Sequence, residues 1–273
     1  MRSTNPVFTR TEGFNGQHAT YPGNGQVYSG YGTTPTAGFD HTPTQRMTLD
    51  SVVNRTGLTM GTLVIAAALT WVLTGDPAAI DGRAASTLYL LTMVGALGGF
   101  VLSLVNSFKK VVSPGLVLAY AALQGVFVGA VSKVFNQAYD GVVTGAVLGT
   151  VAAFVGTLAA YKFFNIKVSN KFRTWVIGAM FGFVALSLID FGLSFFGSSF
   201  GWNGLGKLGL VSSLLGLGLA VLMLILDFDF VERGIAAGLP ERESWRAAFG
   251  LTVTIVWIYV QMLRLLAILR GND

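Results

Sequence analysis

The chain has 273 residues, of which 52% are hydrophobic and only 11% are charged, whereas soluble proteins carry about 25% charged residues. The sequence contains no cysteine, which excludes disulfides, thiolate metal sites and thiol nucleophiles. The net charge of +5 does not indicate nucleic-acid binding, because Lys and Arg cluster in alternate loops, the pattern of a polytopic membrane protein.

Residues 1–50 are rich in Gly, Thr, Asn and Pro and show no helical or alternating apolar period. This composition predicts a disordered tail, followed by a membrane domain over residues 51–273. A basic start followed by an apolar stretch is missing, so the tail is not expected to be a secretory signal. Both histidines, His18 and His41, lie in the tail, which argues against a histidine-ligated metal or a histidine proton relay within the membrane.

Seven apolar runs follow the tail, each near the ~20 residues that are needed to cross a hydrocarbon layer of ~30 Å. Pro114 opens the third run, where its missing N–H costs nothing. The pattern predicts an all-α membrane protein with seven transmembrane helices. The runs cover approximately residues 57–75, 84–108, 114–135, 141–164, 173–197, 208–228 and 247–269.

The distribution of positive charge predicts the orientation of these helices. One side carries 13 Lys and Arg residues and the other carries 4, and the richer side is expected in the cytoplasm. The N-terminus is therefore expected in the cytoplasm and the C-terminus outside. A re-entrant seventh segment would return the C-terminus to the cytoplasm. The four residues on the poorer side are Arg83, Lys133, Lys207 and Arg270.

Many glycines stand four residues apart within the apolar runs. Small residues at this spacing let membrane helices approach closely, so we expect them to pack helices of the same chain together. The spaced glycines are Gly57 and Gly61, Gly95 and Gly99, Gly125 and Gly129, Gly141, Gly145 and Gly149, and Gly178 and Gly182.

Motifs for catalysis are weak. The segment from Gly201 to Leu208 is close to a nucleotide-binding P-loop, but Leu208 replaces the Ser or Thr that would bind magnesium, and no strand precedes it. Asp190 and Asp227 are the one conceivable pair for an aspartyl protease. They are expected at opposite ends of their helices, separated by most of the bilayer. The protein is therefore not expected to be an enzyme.

The polar residues within the apolar runs are the candidates for function, because ionisable groups in a membrane are expensive. A buried carboxylate can change its protonation near physiological pH, and when ionised it is a hard ligand for a cation such as Ca²⁺. The alternative is that the acids of the sixth run form the hydrated end of a helix. The candidates are Asp190, Asp227, Asp229, Gln261 and Arg264, with the amides Asn106 and Gln124.

Two segments near the C-terminus carry a family resemblance. The sequence LILDFDFVERG, a charged turn and then WIYVQMLRLLAILR resemble the last two helices of the Bax inhibitor family, also called the transmembrane Bax inhibitor motif family. The opening RSTNPVFTR with its Gly- and Tyr-rich tail is similar to the actinobacterial branch of that family.

The resemblance implies a central last helix that is wrapped by two groups of three helices. It also implies a pH-sensitive calcium leak that is controlled by two acids. The first acid is matched here by Asp227 or Asp229. Gln261 stands where the family carries the second acid, within Tyr259-Val-Gln. Because Gln cannot ionise, we expect Asp227 to be grouped with Gln261 and Arg264 instead of a second carboxylate.

The sequence thus predicts a pH-sensitive, channel-like leak for cations such as Ca²⁺ in a bacterial plasma membrane. Asp227, Asp229, Gln261, Arg264 and Asp190 would form its pathway or gate. The alternative is a non-enzymatic regulator that binds another membrane protein, such as a membrane protease. No cofactor, catalytic residue or nucleic-acid partner is expected. The expected partners are the lipid bilayer, Ca²⁺ and another membrane protein.

Overall fold

A computed structural model of the chain describes residues 46–75 and 83–271. Nearly all of the tail that is predicted to be disordered lies outside the described residues. Each of the seven helices that the described residues form is long and apolar enough to cross a membrane, which confirms the predicted all-helical, seven-span fold of a multi-pass membrane protein. The helices are α1 (Leu49–Leu73), α2 (Arg83–Phe108), α3 (Pro114–Ala138), α4 (Val142–Phe163), α5 (Asn170–Ser194), α6 (Lys207–Ala236) and α7 (Glu243–Arg270).

Local sequence signals explain several helix ends. The Thr48 side chain accepts from the backbone N–H of Ser51 while Ser51 bonds back to Thr48, a reciprocal cap that starts α1. Pro114 occupies the first turn of α3, as predicted. Gly141 has a φ of 72° and turns the chain from α3 into α4, a conformation that favours glycine.

Helix α7 is the most buried of the seven helices. It packs against α1, α3, α4 and α6, whereas α2 packs on α3 and α5 packs on α6. The first group (α1–α3) and the second group (α4–α6) therefore surround α7. Helices α2 and α5 pack mainly on α3 and α6, and α5 reaches α7 through the Phe183 ring, which lies 5.8 Å from that of Trp257. Buried residues occur along the whole length of α7, from Ser244 to Ile268, which is consistent with its central position.

Hydrogen bonds connect α1 to other parts of the chain at both ends of the bundle, which we call the proximal and the distal end. At the proximal end, where α1 begins, Met47 donates its N–H to the carbonyl of Leu239 (2.7 Å), and the Ser51 and Ser244 hydroxyls are 2.6 Å apart. At the distal end, where α1 finishes, Lys133 of α3 donates to carbonyls in the last turn of α1.

The glycines behave in two ways. A Cβ on Gly95, Gly125 or Gly129 would overlap the backbone of a neighbouring helix, so close packing is confirmed there. It is wrong for the pairs of α1 and α5: a Cβ on Gly57, Gly61, Gly178 or Gly182 would meet no atom within 4 Å. At these four positions no helix among the described residues approaches α1 or α5 closely.

Candidate functional site

Asp227 lies in the interior of α6 and contacts α7. Its Oδ2 accepts a hydrogen bond from the Thr254 hydroxyl at 2.6 Å. Although the apolar run was predicted to finish at residue 228, α6 continues to Ala236, which leaves about two more turns beyond Asp227. Asp227 is therefore an embedded carboxylate and not the last residue of a helix.

A cavity of about 300 Å³ borders Asp227 near the proximal end. Gly250 of α7 brings its backbone close to the second carboxylate oxygen, since a Cβ there would lie 3.3 Å from Asp227 Oδ1. No hydrogen bond to Oδ1 is found among the described residues. The lining residues come from α2, α6 and α7: Asn106, Ser107, Asp227, Phe230, Arg246, Ala247, Phe249 and Gly250.

The one cation that lines this cavity is bound to other groups. Arg246 donates from Nε to Glu243 at 2.7 Å and from Nη2 to the carbonyl of Lys110 at 3.0 Å. In the part of the chain that the structure describes, no ion pair reaches Asp227. A carboxylate with a neutral partner and a cavity beside it can accept a cation, because no fixed positive charge competes for it.

Asp229 differs from Asp227 although it stands only two residues away. It is 7% exposed and binds two guanidinium groups, with Arg173 Nη2 at 2.8 Å and Arg233 Nε at 2.9 Å. Nearby, the Tyr161 hydroxyl donates to Glu232 at 2.6 Å. Asp229 joins α5 to α6 through Arg173, and its charge is already compensated.

Gln261 and Arg264 do not join Asp227. Gln261 is buried against Gly216, where its Nε2 would lie 2.6 Å from an added Cβ, and its Oε1 has no hydrogen-bond partner among the described residues. Thr254 marks the level of Asp227 on α7, and Gln261 is seven residues further on, about 10 Å along the axis. The expected grouping of Asp227, Gln261 and Arg264 is therefore wrong. Asp227 of α6 contacts α7 at Thr254, whereas Gln261 and Arg264 lie two and about three turns further along α7.

Arg264 and Asp190 lie together at the distal end. Asp190 is 2% exposed, and its carboxylate accepts from the backbone N–H groups of Phe200 (2.9 Å), Gly201 (3.1 Å) and Asn203 (2.8 Å). Arg264 donates to carbonyl oxygens in the same loop. The five candidate residues thus divide into a proximal pair, Gln261 in the middle, and a distal pair.

A second cavity, of about 430 Å³, lies between α1, α3, α4 and α7. Its walls are apolar and carry no charged residue, and its polar members include Ser132 and Tyr259, whose hydroxyls are 2.6 Å apart. The Tyr259 hydroxyl is therefore occupied by α3. This cavity lacks a charged ligand for a cation.

Comparison with known families gives one match. The family model described as Bax inhibitor 1 like matches residues 5–271, nearly the whole chain. The chain belongs to this family. No curated protein matches the chain.

The structure adds one residue that the sequence reasoning did not single out for this member of the Bax inhibitor 1 like family. Thr254, the neutral partner of Asp227, stands two helical turns before Gln261 on the same face of α7. That spacing was visible in the sequence, but threonine is common in apolar helices. Only the position of α6 shows which threonine reaches the acid.

Proposed function

We propose that this protein is a pH-sensitive leak for cations such as Ca²⁺, in which Asp227 binds the ion at the proximal cavity. The function is transport, not catalysis, and it needs no cofactor. Asp229 supports the proximal end through its arginines. Gln261 would lie in the middle of the pathway, and Arg264 and Asp190 at its distal end.

The observation that carries the proposal is the state of the Asp227 carboxylate. One oxygen accepts from a neutral hydroxyl, the residue lines a cavity, and the nearest arginine of that cavity is bound elsewhere. Embedded acids with these features mark ion and proton pathways. Asp229 makes the contrast clear, because two arginines already compensate its charge.

The pH dependence follows from a single acid. Protonation removes the charge and the ligand strength of the carboxylate, so flux should decrease as the pH falls. Because the position that would hold a second acid is Gln261, one proton is involved, and flux should change by at most about tenfold per pH unit. A steeper dependence would require another titrating group.

Calcium flux from loaded liposomes tests the proposal. Asp227→Asn keeps an oxygen that can accept from Thr254 but removes the charge, so flux should fall to the level of protein-free liposomes. The matched control is Asp140→Asn, which changes an exposed acid in the turn before α4 and should leave flux unchanged. Equal flux from wild type and Asp227→Asn would exclude the leak through this site.

A second function, the binding of another membrane protein such as a membrane protease, rests on the outward-facing glycines. Gly178 and Gly182 of α5 leave open space that a partner helix can fill. Chemical cross-linking in native membranes should then give an adduct that Gly178→Leu loses. The control is Gly95→Leu, which alters a glycine that packs on α3. This substitution should lower the amount of folded protein instead.

We propose that the protein lies in a bacterial plasma membrane, and its charge distribution supports an orientation with the N-terminus in the cytoplasm. The proximal end carries most of the Lys and Arg residues, such as Arg173, Arg233 and Arg246, and the positive side faces the cytoplasm. A cysteine introduced in place of the exposed Asn54 should react with an impermeant maleimide only after the cells are opened. Reaction in intact cells would reverse the orientation.

A further inference from the structure

The loop between α5 and α6 enters the distal end of the bundle. We define the distal loop as residues 200–204, between the end of α5 at Ser194 and the start of α6 at Lys207. Gly209 shows how close it comes, because a Cβ there would overlap the Gly204 carbonyl. The loop therefore rests directly on the first turns of α6.

Two embedded charges from different helices hold this loop. Asp190 of α5 accepts three of its backbone N–H groups. Arg264 of α7 donates to the carbonyls of Trp202 and Gly204, with Nε 3.2 Å from the latter. Asp190 therefore binds backbone N–H groups of the loop, and Arg264 binds its backbone carbonyl groups. In the described residues, no ion pair joins Arg264 to an acid.

Ser212 of α6 also binds the loop. Its hydroxyl, which is fully buried, lies 2.5 Å from the Trp202 carbonyl and 2.9 Å from Arg264 Nη2. Gly201 has a φ of 85°, which favours glycine and belongs to the turn that presents successive N–H groups to Asp190. Three helices and one glycine thus determine the position of the loop.

The Trp202 side chain extends from the loop toward the interior. Its Nε1 donates to the Ser187 hydroxyl at 3.2 Å, and its ring centroid is 5.8 Å from that of Phe183. Phe183 is in turn 5.8 Å from Trp257 of α7. This aromatic row lies at the level of Gln261, since Gly216 is close to both Phe183 and Gln261.

One seam connects this level with the proximal cavity. Thr254, Trp257, Gln261 and Arg264 are spaced three or four residues apart on α7, so they follow one helix face. Thr254 contacts Asp227 near one end of the seam, and Arg264 contacts the distal loop at the other. The α6–α7 seam is thus open to a cavity at the proximal end and covered by the loop at the distal end.

We propose that the distal loop is a plug that closes the α6–α7 seam, with Asp190 and Arg264 as a two-sided latch. Movement of the loop away from Ser212 opens the distal end. The proposal rests on the proposed leak in one respect, namely that the seam is its pathway. The position and release of the loop can be measured without any flux.

Because the chain has no cysteine, a single Ser212→Cys substitution gives a thiol reporter directly beneath the loop. Reaction with an impermeant maleimide should be slow in this variant when the protein is in liposomes with its distal side outward. The additional substitution Asp190→Asn replaces one carboxylate oxygen, which accepts from backbone N–H groups, by an amide NH₂ that cannot accept from them. The labelling rate should then rise about tenfold, the effect of losing one hydrogen bond to a charged group.

A second variant avoids any change of charge. Gly201→Ala strains the loop at its positive φ and should also raise the labelling rate. Gly197→Ala is the matched control, because Gly197 has a φ of 70° but no neighbour within 4 Å of an added Cβ. All rates are measured on protein that elutes as a single symmetric peak, which removes misfolded material.

The outcomes separate the plug from the leak. If Asp190→Asn and Gly201→Ala both leave the labelling rate of the thiol reporter unchanged, the loop does not open and the plug is excluded. If labelling rises and calcium flux rises with it, the plug closes the pathway. In a third outcome, labelling rises while calcium flux stays at the level of the Ser212→Cys variant, and Asp227→Asn still abolishes flux. The leak is then supported, but the loop does not close its pathway.

Discussion

Each end of the α6–α7 seam has an aspartate that lies within the bundle, and the two aspartates differ in their burial and in their hydrogen-bond partners: Asp190 is buried, whereas Asp227 is partly buried. Asp190 at the distal end accepts three backbone N–H groups, so both of its oxygens are occupied. Asp227 at the proximal end accepts from one hydroxyl and borders a cavity. Both are acids within apolar runs, and the sequence predicts both as members of the pathway or gate.

The different hydrogen-bond partners of Asp190 and Asp227 give the two acids different roles. One stabilises the fold, and the other is available to bind a ligand. A carboxylate that accepts several backbone N–H groups is stabilised in its charged form by the chain itself. A carboxylate with one neutral hydrogen-bond donor still has unoccupied oxygen lone pairs, which can bind a cation or a proton. The number and kind of hydrogen-bond donors around each acid therefore indicate which of the two roles it has.

The largest effect that would test this comparison is on stability. Asp190→Asn turns an acceptor into a donor that faces backbone N–H groups, and we expect the melting temperature in detergent to fall by on the order of 5 °C. Asp227→Asn keeps an acceptor for Thr254 and should stay within about 1 °C. Tryptophan fluorescence during heating measures both. Equal melting temperatures would show that the two acids contribute equally to the fold.

Much of this fold followed from the sequence, whereas the grouping within the site did not. The seven apolar runs and Pro114 located the helices, because crossing a bilayer demands length and apolarity that are easily read. The levels of Asp227, Gln261 and Arg264 depend on how far α6 extends past Asp229 and on its register against α7. Both are decided by tertiary contacts such as Gly216 on Gln261.

An intermediate effect concerns the neutral partner of Asp227. Thr254→Val removes the hydroxyl donor but keeps the shape, so the ionised carboxylate loses a hydrogen bond and calcium flux should fall about tenfold. Thr252→Val is the matched control, because its buried hydroxyl bonds to the Ala248 carbonyl of its own helix and should leave flux near the wild-type value. Similar flux in the two variants would mean that the contact with α7 does not influence Asp227.

The smallest effect concerns the space beside the second oxygen of Asp227. A Cβ added by Gly250→Ala would lie 3.3 Å from Oδ1, tight enough to narrow the cavity yet with only one close neighbour. We expect a two- to threefold decrease in calcium flux, equivalent to roughly 0.5 kcal/mol, with no loss of folded protein. Gly218→Ala of α6, where a Cβ meets nothing within 4 Å, should leave flux unchanged. If the two alanines behave alike in liposomes, the free oxygen of Asp227 does not face the ion, and the contrast with Asp190 reduces to the number of hydrogen bonds.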